Sequence, residues 1–290
     1  MTHIFSTINL KGGVGKTTIT VALADMFSGE FNKKVLVIDL DPQTNATVML
    51  IGEDRWKELN NDGHTLAQLF KDALESSRNK FDFDQTLQKG VSNVSSVKTI
   101  DLLPSSLELI DIQEKLLKTD PGEYGTIRPI DILWRAVKDK VKQYDVVIVD
   151  CPPNLGKITQ NGLRMSEAFI IPTIPDILST YGIPQIISRV RGFSEEIANP
   201  IKPLGIVISK YQAISNVHRN MVTQLKQKHD GEPDNWPAVF DTQIRQANQI
   251  SAAAEITQFS TLKQKWGGSF QEDFLQLTRE IWEKLENNHD

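Results

Sequence analysis

Short apolar runs alternate along this chain with stretches in which apolar residues recur at helical spacing. The short runs predict β-strands at residues 3–8, 34–39, 99–103, 144–150, 168–172 and 204–208. The helical spacing predicts α-helices at about residues 19–27, 64–74, 106–117, 129–141, 183–197, 216–225 and 270–286. Strands that alternate with helices in this way predict an α/β fold with a doubly wound, mostly parallel sheet and helices on both faces.

Helix ends carry finer expectations. Gly29 is expected to cap the C-terminus of the first helix, and Pro129 is expected to be the first residue of its helix. Ser215 is expected to cap a helix whose inward face carries Val217, Met221 and Leu225. These positions tie the hydrophobic pattern to definite helix boundaries.

The whole chain, residues 1–290, is expected to form a single domain. Within it, residues 76–96 are polar and are expected to form an irregular surface insertion. Apolar residues at helical spacing over 270–286 predict a C-terminal helix that packs on the core. No internal repeat interrupts this organisation.

A glycine-rich turn follows the first predicted strand and precedes the first predicted helix. It reads Lys11-Gly12-Gly13-Val14-Gly15-Lys16-Thr17-Thr18. Unpaired N–H groups and the positive end of a helix dipole make such a turn a phosphate site. The usual P-loop pattern has a glycine where this chain has Leu10, and Lys11 is an additional lysine at the front of the loop. We expect Lys16 to reach the β- and γ-phosphates and the Thr17 hydroxyl to bind Mg²⁺; the alternative is a glycine-rich turn without a ligand.

Carboxylates stand where two buried strands end. Asp39 and Asp41 close the second strand, and Asp150 closes the most apolar strand of the chain. Ligands of open α/β sheets bind at the carboxyl ends of the strands. We therefore expect Asp150 to organise Mg²⁺ beside the phosphate turn, the alternative being an ordinary aspartate at a strand end.

Composition and charge narrow the setting. The single cysteine, Cys151, excludes a disulfide framework and an all-cysteine metal site within one chain, and a reducing cytoplasm is the simplest setting. Neither a signal peptide nor a membrane span is expected. The net charge is −5, yet residues 182–228 contain seven basic and two acidic residues. That segment is either a nucleic-acid contact or an ordinary solvated face.

Four stretches together resemble the ParA partition ATPases, which belong to the deviant Walker A group of P-loop proteins. They are Lys11–Thr18, Val35–Gln43, Leu102–Ser106 and Asp145–Gly156, and the resemblance extends to about residue 172. It implies ATP and Mg²⁺ as cofactors and slow ATP hydrolysis by a homodimer that encloses the nucleotides. In such a dimer Lys11 would reach the phosphates bound by the partner subunit, and Asp41 would position the attacking water; the alternative for Asp41 is a cap on the following turn. Thr17 and Asp150 would hold Mg²⁺ with Asp39 behind them, and Lys210 would lie near the adenine.

The resemblance also implies a cycle on DNA. The ATP-bound dimer would bind DNA without sequence preference, on the nucleoid in the cytoplasm, until an adaptor protein stimulates hydrolysis and releases it. The basic residues expected at DNA are Arg189, Lys202, Arg219, Lys226 and Arg245. Gln246 and Gln249 stand where many relatives have arginines. The cargo stays open between a plasmid, a chromosome origin and a protein organelle.

Other classes on this fold fit less well. One cysteine per chain cannot supply the cluster ligands of the nitrogenase iron protein or the iron–sulfur carriers. The acidic C-terminal helix does not suit membrane cycling of the MinD type, and the tyrosine-rich tail of the bacterial tyrosine kinases is missing after Tyr211. A metabolic ATP-dependent ligase or synthetase stays open, although Lys11 and the turn after Asp39 favour the partition ATPases.

Overall fold

The computed structural model describes residues 1–75, 79–118, 128–253 and 258–287, without the side chains of residues 249 and 251. The strands are β1 His3–Thr7, β2 Val35–Asp39, β3 Ile100–Leu103, β4 Val146–Asp150, β5 Ala168–Thr173, β6 Lys202–Tyr211 and β7 Val239–Arg245. The first helices are α1 Lys16–Gly29, α2 Asn45–Ile51, α3 Glu53–Asn61, α4 Leu66–Leu74, α5 Phe83–Thr86, α6 Leu109–Lys118 and α7 Ile132–Val137. A 3₁₀ turn at Val141–Gln143 precedes α8 Lys157–Met165, α9 Ile177–Thr180, α10 Ile183–Glu196, α11 Asn216–Gly231, α12 Asn248–Ala252, α13 Leu262–Trp266 and α14 Gly268–Asn287.

The strands form one sheet in the order β3-β2-β4-β1-β5-β6-β7. Every pair of neighbouring strands is parallel, so the predicted fold class is confirmed. In β2 and β4 all residues are buried, as expected for strands with helices on both faces. The register places Asp39 opposite Asp150 and Thr7 opposite Asp150. The ends of three strands therefore meet at the carboxyl edge of the sheet.

Two hydrophobic clusters fill the space on either side of the sheet. One cluster takes its helical residues from α1, α2, α13 and α14, and the other takes them from α4, α5, α6, α7, α8, α10 and α11. Along β2, Val35 and Val37 belong to the first cluster and Leu36 and Ile38 to the second, because successive side chains of a strand point to opposite faces.

The C-terminal helix lies where its apolar spacing predicts. Phe274, Leu277, Ile281 and Leu285 of α14 are fully buried in the cluster that also contains α1. Among the described residues, no helix combines the length and apolar character that crossing a bilayer requires.

Two expectations about helix ends are wrong. Gly29 does not cap α1: it is the last helical residue, and a Cβ there would lie 2.8 Å from Leu262 Cδ1. Close packing against Leu262 therefore explains this glycine better than a left-handed cap does. Helix α7 begins at Ile132 after Asp131, so Pro129 precedes it; the Pro129 carbonyl accepts a hydrogen bond from Asn161 Nδ2 at 2.8 Å.

The expected surface insertion and the expected inward face of α11 also need correction. Residues 76–78 of the segment 76–96 lie outside the described residues, but its later part packs into the core through Phe83, Leu87, Val91 and Val94. Ser215 does cap α11, since its side chain accepts from the N–H of His218. Met221 and Leu225 are buried as expected, but Val217 is 57% exposed.

Candidate functional site

The glycine-rich turn forms an open cradle at the start of α1. Gly13 and Gly15 have φ angles of 75° and 85°, a left-handed conformation that favours glycine. No atom lies within 4 Å of the position of a Cβ on Gly12 or Gly13, so the space above this backbone is free. The cradle is part of a cavity of about 240 Å³. Its lining residues are Gly12, Gly13, Gly15, Lys16, Thr17, Thr18, Asp41, Gln43, Asn45, Pro153 and Lys210.

Lys16 is the buried cation of this cradle. Its side chain starts from the first residue of α1, and the residue is 6% exposed. The ammonium group donates to the Lys11 carbonyl at 3.4 Å. Burial lowers the pKa of Lys16, while the nearby Asp150 and Asp41 carboxylates act in the opposite direction. A buried cation above open N–H groups is suited to an anionic ligand such as a polyphosphate.

Thr17 and Asp150 face each other across the cradle. The Thr17 hydroxyl donates to Asp150 Oδ2 at 2.7 Å, and Thr20 donates to Asp150 Oδ1 at 3.3 Å. Burial raises the pKa of Asp150 to about 7. A hydroxyl and a carboxylate at this distance fit Mg²⁺, which prefers oxygen ligands and keeps several waters. No cluster of three or more His, Cys, Asp or Glu side chains in the described ranges could hold a metal alone, so the remaining ligands would be phosphate oxygens and water.

Asp39 organises the loop that follows β2. Its Oδ1 accepts from the N–H of Asp41 at 3.0 Å, and its Oδ2 accepts from the N–H and the hydroxyl of Thr47 at 2.9 and 2.7 Å. Burial and the neighbouring Asp150 raise the pKa of Asp39 well above its usual value. Asp39 lies opposite Asp150 in the sheet, and both of its oxygens hold protein groups, so it orients the backbone of Asp41. Its role beside a metal stays a prediction.

Asp41 both caps the turn that follows β2 and lines the cavity. Its Oδ1 accepts from the N–H of Gln43 at 3.0 Å, which is the local turn cap that a strand-end aspartate often makes. The same residue lines the cavity over the glycine-rich turn. The capping bond uses one carboxylate oxygen, so it fixes the side chain at the cavity wall, and the predicted action on a water molecule stays a prediction.

Lys11 points away from its own cradle. Its ammonium group donates to Ser179 Oγ at 2.7 Å and lies 3.6 Å from Asp176 Oδ1. Asp176 caps the short helix α9, because its side chain accepts from the N–H of Ser179. The Lys11 side chain is 39% exposed. The extra lysine of the loop is therefore attached to α9 and is separated from the phosphate position that Lys16 serves.

A second cavity adjoins the cradle and was missed by the sequence reasoning. It measures about 190 Å³ and is lined by Gly15, Thr18, Ile19, Ser209, Lys210, Ile244, Arg245, Gln246, Ala247 and Ile250. The Ser209 hydroxyl donates to the Val14 carbonyl at 2.7 Å and so joins β6 to the turn. Lys210 was expected near an adenine and does lie on this wall. For the opposite wall of this cavity, the sequence offers one signal, the segment after Ile244. That segment stands out only because it has glutamines where many relatives have arginines.

The basic residues predicted to contact DNA do not form one cluster. Lys202 begins β6 at the amino edge of the sheet, whereas Arg219 lies in the first turn of α11 beyond the carboxyl edge. The ten residues of β6 span roughly 33 Å between these edges. Arg189 is exposed on α10 beside a groove lined by Phe193 and Glu196.

The other basic residues have local partners. The Arg219 guanidinium donates to the Ala213 carbonyl and to Asn216 Oδ1. Lys226 pairs with Asp241 at 3.0 Å. Arg245 pairs with Asp273 of α14 at 2.8 Å and lies 4.8 Å from the ring centroid of Phe270. A DNA contact by Arg245 would require this ion pair to open, so the geometry gives little support to its expected place at DNA.

A strand, a glycine-rich turn with a buried lysine, and a hydroxyl–carboxylate pair at the next strand end define a P-loop nucleotide-binding protein. The chain belongs to the AAA domain family, whose model matches residues 2–202. Its relatives make it a ParA-type member of the P-loop ATPases, as the sequence resemblance predicts.

Three comparisons illustrate this relationship. The chain is 28% identical over 226 residues to the sporulation initiation inhibitor protein Soj of Bacillus subtilis, covering 78% of this chain and 79% of Soj. It is 24% identical over 277 residues to the virulence plasmid ParA family protein pGP5-D of Chlamydia psittaci, covering 96% and 93%. The fold is similar to that of a cobyrinic acid a,c-diamide synthase from Mycobacterium smegmatis with bound ADP and magnesium. That structure has a TM-score of 0.70 and 22% identity, and the match covers 99% of this chain and 97% of the synthase.

Proposed function

We propose that this chain is an ATP-hydrolysing partition or positioning protein. Two copies enclose two ATP molecules, the dimer binds DNA without sequence preference, and an adaptor protein stimulates hydrolysis and thereby releases the dimer. The cofactors are ATP and Mg²⁺, and the cycle takes place in the cytoplasm on the nucleoid. The observation that carries the proposal is the position of Lys11, whose ammonium group faces Asp176 and Ser179 outside its own cradle.

Within one subunit the cradle binds the triphosphate and holds the metal. Lys16 and the open N–H groups of the turn neutralise phosphate charge, and Thr17 and Asp150 are the metal-binding residues. Mg²⁺ held there by Thr17 and Asp150 would supply positive charge beside the phosphate oxygens. Asp41 lies at the cavity wall, where its carboxylate accepts a hydrogen bond from the attacking water and orients it. This part of the mechanism needs only one chain.

Lys11 is the group that needs two chains. A cation supplied by a partner subunit acts on the transition-state charge in the manner of an arginine finger. In the subunit described here its side chain is bonded to α9 and is 39% exposed, so it is accessible from outside. Lys16 already supplies the cation of the cradle. Because the Lys11 side chain points out of that cradle, it is better placed to act on a neighbouring subunit than on its own.

Basic residues supply the proposed DNA contacts. The segment 182–228 is basic within an acidic chain, and Arg189 and Arg219 are exposed. In a dimer, the contacts from two copies add, so the few exposed basic residues of each subunit count twice. Lysine and arginine contacts to phosphates release counterions, and binding should therefore weaken steeply as the salt concentration rises.

Lys11→Ala tests the sandwich. Wild-type protein with a non-hydrolysable ATP analogue and Mg²⁺ should sediment as a dimer, whereas Lys11→Ala should stay a monomer and bind a fluorescent ATP analogue within about threefold of wild type. Lys57→Ala, which removes an exposed lysine on α3, is the matched control and should dimerise normally. A wild-type protein that stays monomeric under these conditions, or a Lys11→Ala variant that dimerises equally well, would refute the proposal.

DNA stimulation separates this function from a metabolic ligase or synthetase. The likeness to the synthase of Mycobacterium smegmatis concerns the fold alone. ATP hydrolysis by a partition protein should rise when nonspecific DNA is added at low salt, and the increase should disappear at high salt; no response at low salt would favour the ligase. A MinD-like membrane cycle has less support, because the apolar face of α14 is already buried in the core.

A further inference from the structure

The motif Leu102–Ser106 has no part in the site described so far. It covers the end of β3 and the loop that follows, and β3 lies beside β2 at one edge of the sheet. Its residues line neither the cavity over the glycine-rich turn nor the cavity that adjoins it. Ser105 is nevertheless completely buried, although serine is mostly a surface residue. Its hydrogen bonds show what it holds.

All three polar groups of Ser105 are hydrogen-bonded. The hydroxyl donates to the Asp41 carbonyl at 2.7 Å, and the N–H donates to Thr47 Oγ1 at 3.0 Å. The carbonyl accepts from Trp56 Nε1 at 3.1 Å. These partners belong to the loop after β2 and to the helices α2 and α3. Ser105 therefore joins the end of β3 to the segment that contains Asp41.

The bonds of Ser105 close a ring through Asp39. The Thr47 hydroxyl donates to Asp39 Oδ2 at 2.7 Å, and Asp39 Oδ1 accepts from the N–H of Asp41 at 3.0 Å. Four hydrogen bonds thus connect four residues that are at most 6% exposed, namely Asp39, Asp41, Thr47 and Ser105. Hydrogen bonds are electrostatically stronger in such a buried setting than in water. The backbone of Asp41 is held at both ends, at its N–H by Asp39 and at its carbonyl by Ser105.

The loop after Asp41 has a conformation that needs such support. Thr44 has a φ angle of 57°, a left-handed conformation that is costly for a β-branched residue. Its N–H donates to the same Asp41 carbonyl at 2.9 Å. A strained backbone of this kind persists only where the surrounding contacts fix it, and it is typical of functional sites. The carbonyl of Asp41 is therefore the point where the turn and the ring meet.

We propose that Ser105 is a positioning residue for ATP hydrolysis, and that with Thr47 and Asp39 it holds the Asp41 carboxylate where it meets the attacking water. The proposal rests on the role of Asp41 in the proposed function and assigns a role to the motif Leu102–Ser106. Ser105 acts only through Asp41, because it lines neither cavity. A misplacement of about 1 Å at a reacting group can cost on the order of 100-fold in rate. Hydrolysis should therefore depend on Ser105, whereas nucleotide binding should not.

Ser105→Ala tests this role. The rate of phosphate release at saturating ATP and Mg²⁺ should fall about tenfold or more, while the affinity for a fluorescent ATP analogue should stay within about twofold of wild type. Ser106→Ala is the matched control. Ser106 is also completely buried, but its hydroxyl donates to Asn60 Oδ1 at 2.6 Å and makes no bond to the Asp41 loop. Its loss should leave the rate close to that of wild type.

Two further comparisons separate positioning from a general loss of stability. If Ser105 acts through Asp41, the double variant Asp41→Ala/Ser105→Ala should hydrolyse ATP no more slowly than Asp41→Ala alone. Thr47→Val keeps the shape of the side chain but removes the hydroxyl from the ring, so it should also lower the rate. Thr47→Ser keeps the hydroxyl and should hydrolyse ATP faster than Thr47→Val.

The outcomes distinguish this proposal from the proposed function. A wild-type rate in Ser105→Ala, an equal loss in Ser106→Ala, or a further loss in the double variant would overturn the positioning role while the role of Asp41 stands. If Ser105→Ala loses nucleotide affinity through misfolding, the Thr47 variants decide, and equal rates for Thr47→Val and Thr47→Ser would overturn the proposal. Unchanged hydrolysis by Asp41→Ala would refute the role of Asp41 itself, and with it the role of Ser105.

Discussion

A fully buried ion pair joins the helix of the glycine-rich turn to the C-terminal part of the chain. Lys265 of α13 donates to Asp25 Oδ2 of α1 at 2.7 Å, and both side chains are completely buried. Trp266 Nε1 donates to the same oxygen at 2.9 Å, and the Ser92 hydroxyl donates to Asp25 Oδ1 at 3.3 Å. Residues that are distant in sequence thus converge on one carboxylate.

Replacing Asp25 by Asn should be strongly destabilising. The amide nearly keeps the shape of the carboxylate but removes its charge, so the Lys265 ammonium group stays buried without its counterion. Breaking a buried pair in this way typically costs about 3–5 kcal/mol of the free energy of unfolding. Domains are stable by only about 5–15 kcal/mol, so a large fraction of the total stability should be lost.

Urea denaturation followed by circular dichroism measures the effect. Glu53→Gln is the control, since Glu53 makes an ion pair of the same 2.7 Å length with Lys57 on the surface and its loss should leave the midpoint nearly unchanged. The double variant Asp25→Asn/Lys265→Met should be more stable than Asp25→Asn alone, because the unpaired charge is also removed. A loss below about 1 kcal/mol for Asp25→Asn, or a double variant less stable than Asp25→Asn, would refute the argument.

Two further predictions concern single carboxylates. Asp41→Ala should lower the ATP hydrolysis rate about 100-fold or more with little change in nucleotide affinity, as measured by phosphate release and nucleotide titration; unchanged turnover would leave Asp41 only its bond to Gln43. Burial acts to raise the pKa of Asp131, but hydrogen bonds from Arg128 and Arg164 outweigh it and lower the pKa. Because the folded pKa lies below the unfolded one, the stability from Asp131 is present above about pH 4 and is lost as the pH falls further. Asp131→Asn should therefore unfold at lower urea than wild type at pH 7, and the difference should shrink below pH 4; a constant difference would contradict this account.

The central strands and the phosphate cradle were predictable because their signals are local. Strands such as Val146–Val149 are buried on both faces of a parallel sheet. A strand of this kind can be predicted from a run of consecutive apolar residues. Gly13 and Gly15 adopt positive φ angles, as glycines in a turn between a strand and a helix predict. Element type and order could therefore be inferred without knowledge of distant contacts.

The features that were missed depend on partners far along the chain. Strand β7 buries Phe240 and Ile244 well, but its remaining residues are largely polar or half-exposed, so no apolar run predicts it. Arg245 was considered for DNA because the sequence could not show that Asp273 pairs with it. Segment 83–94 is polar in composition, yet its few apolar residues cover the core at irregular spacing. In each case the burial or the partner of a residue depends on tertiary contacts, which composition alone does not predict.

Val217 is a different kind of exception. It continues the apolar spacing of Met221 and Leu225 on α11, yet the subunit leaves it exposed. The pattern follows the helical period correctly, and what is missing is a surface to cover its first turn. Places where local rules fail without a compensating contact are expected at functional sites, and Val217 adjoins α9, whose exposed Ile177 and Leu178 also lack cover in the subunit. The two anomalies lie side by side, since Thr180 of α9 donates to Met221, one helical turn after Val217, so the exposure of Val217 is a property of this surface and not a failure of the helical period.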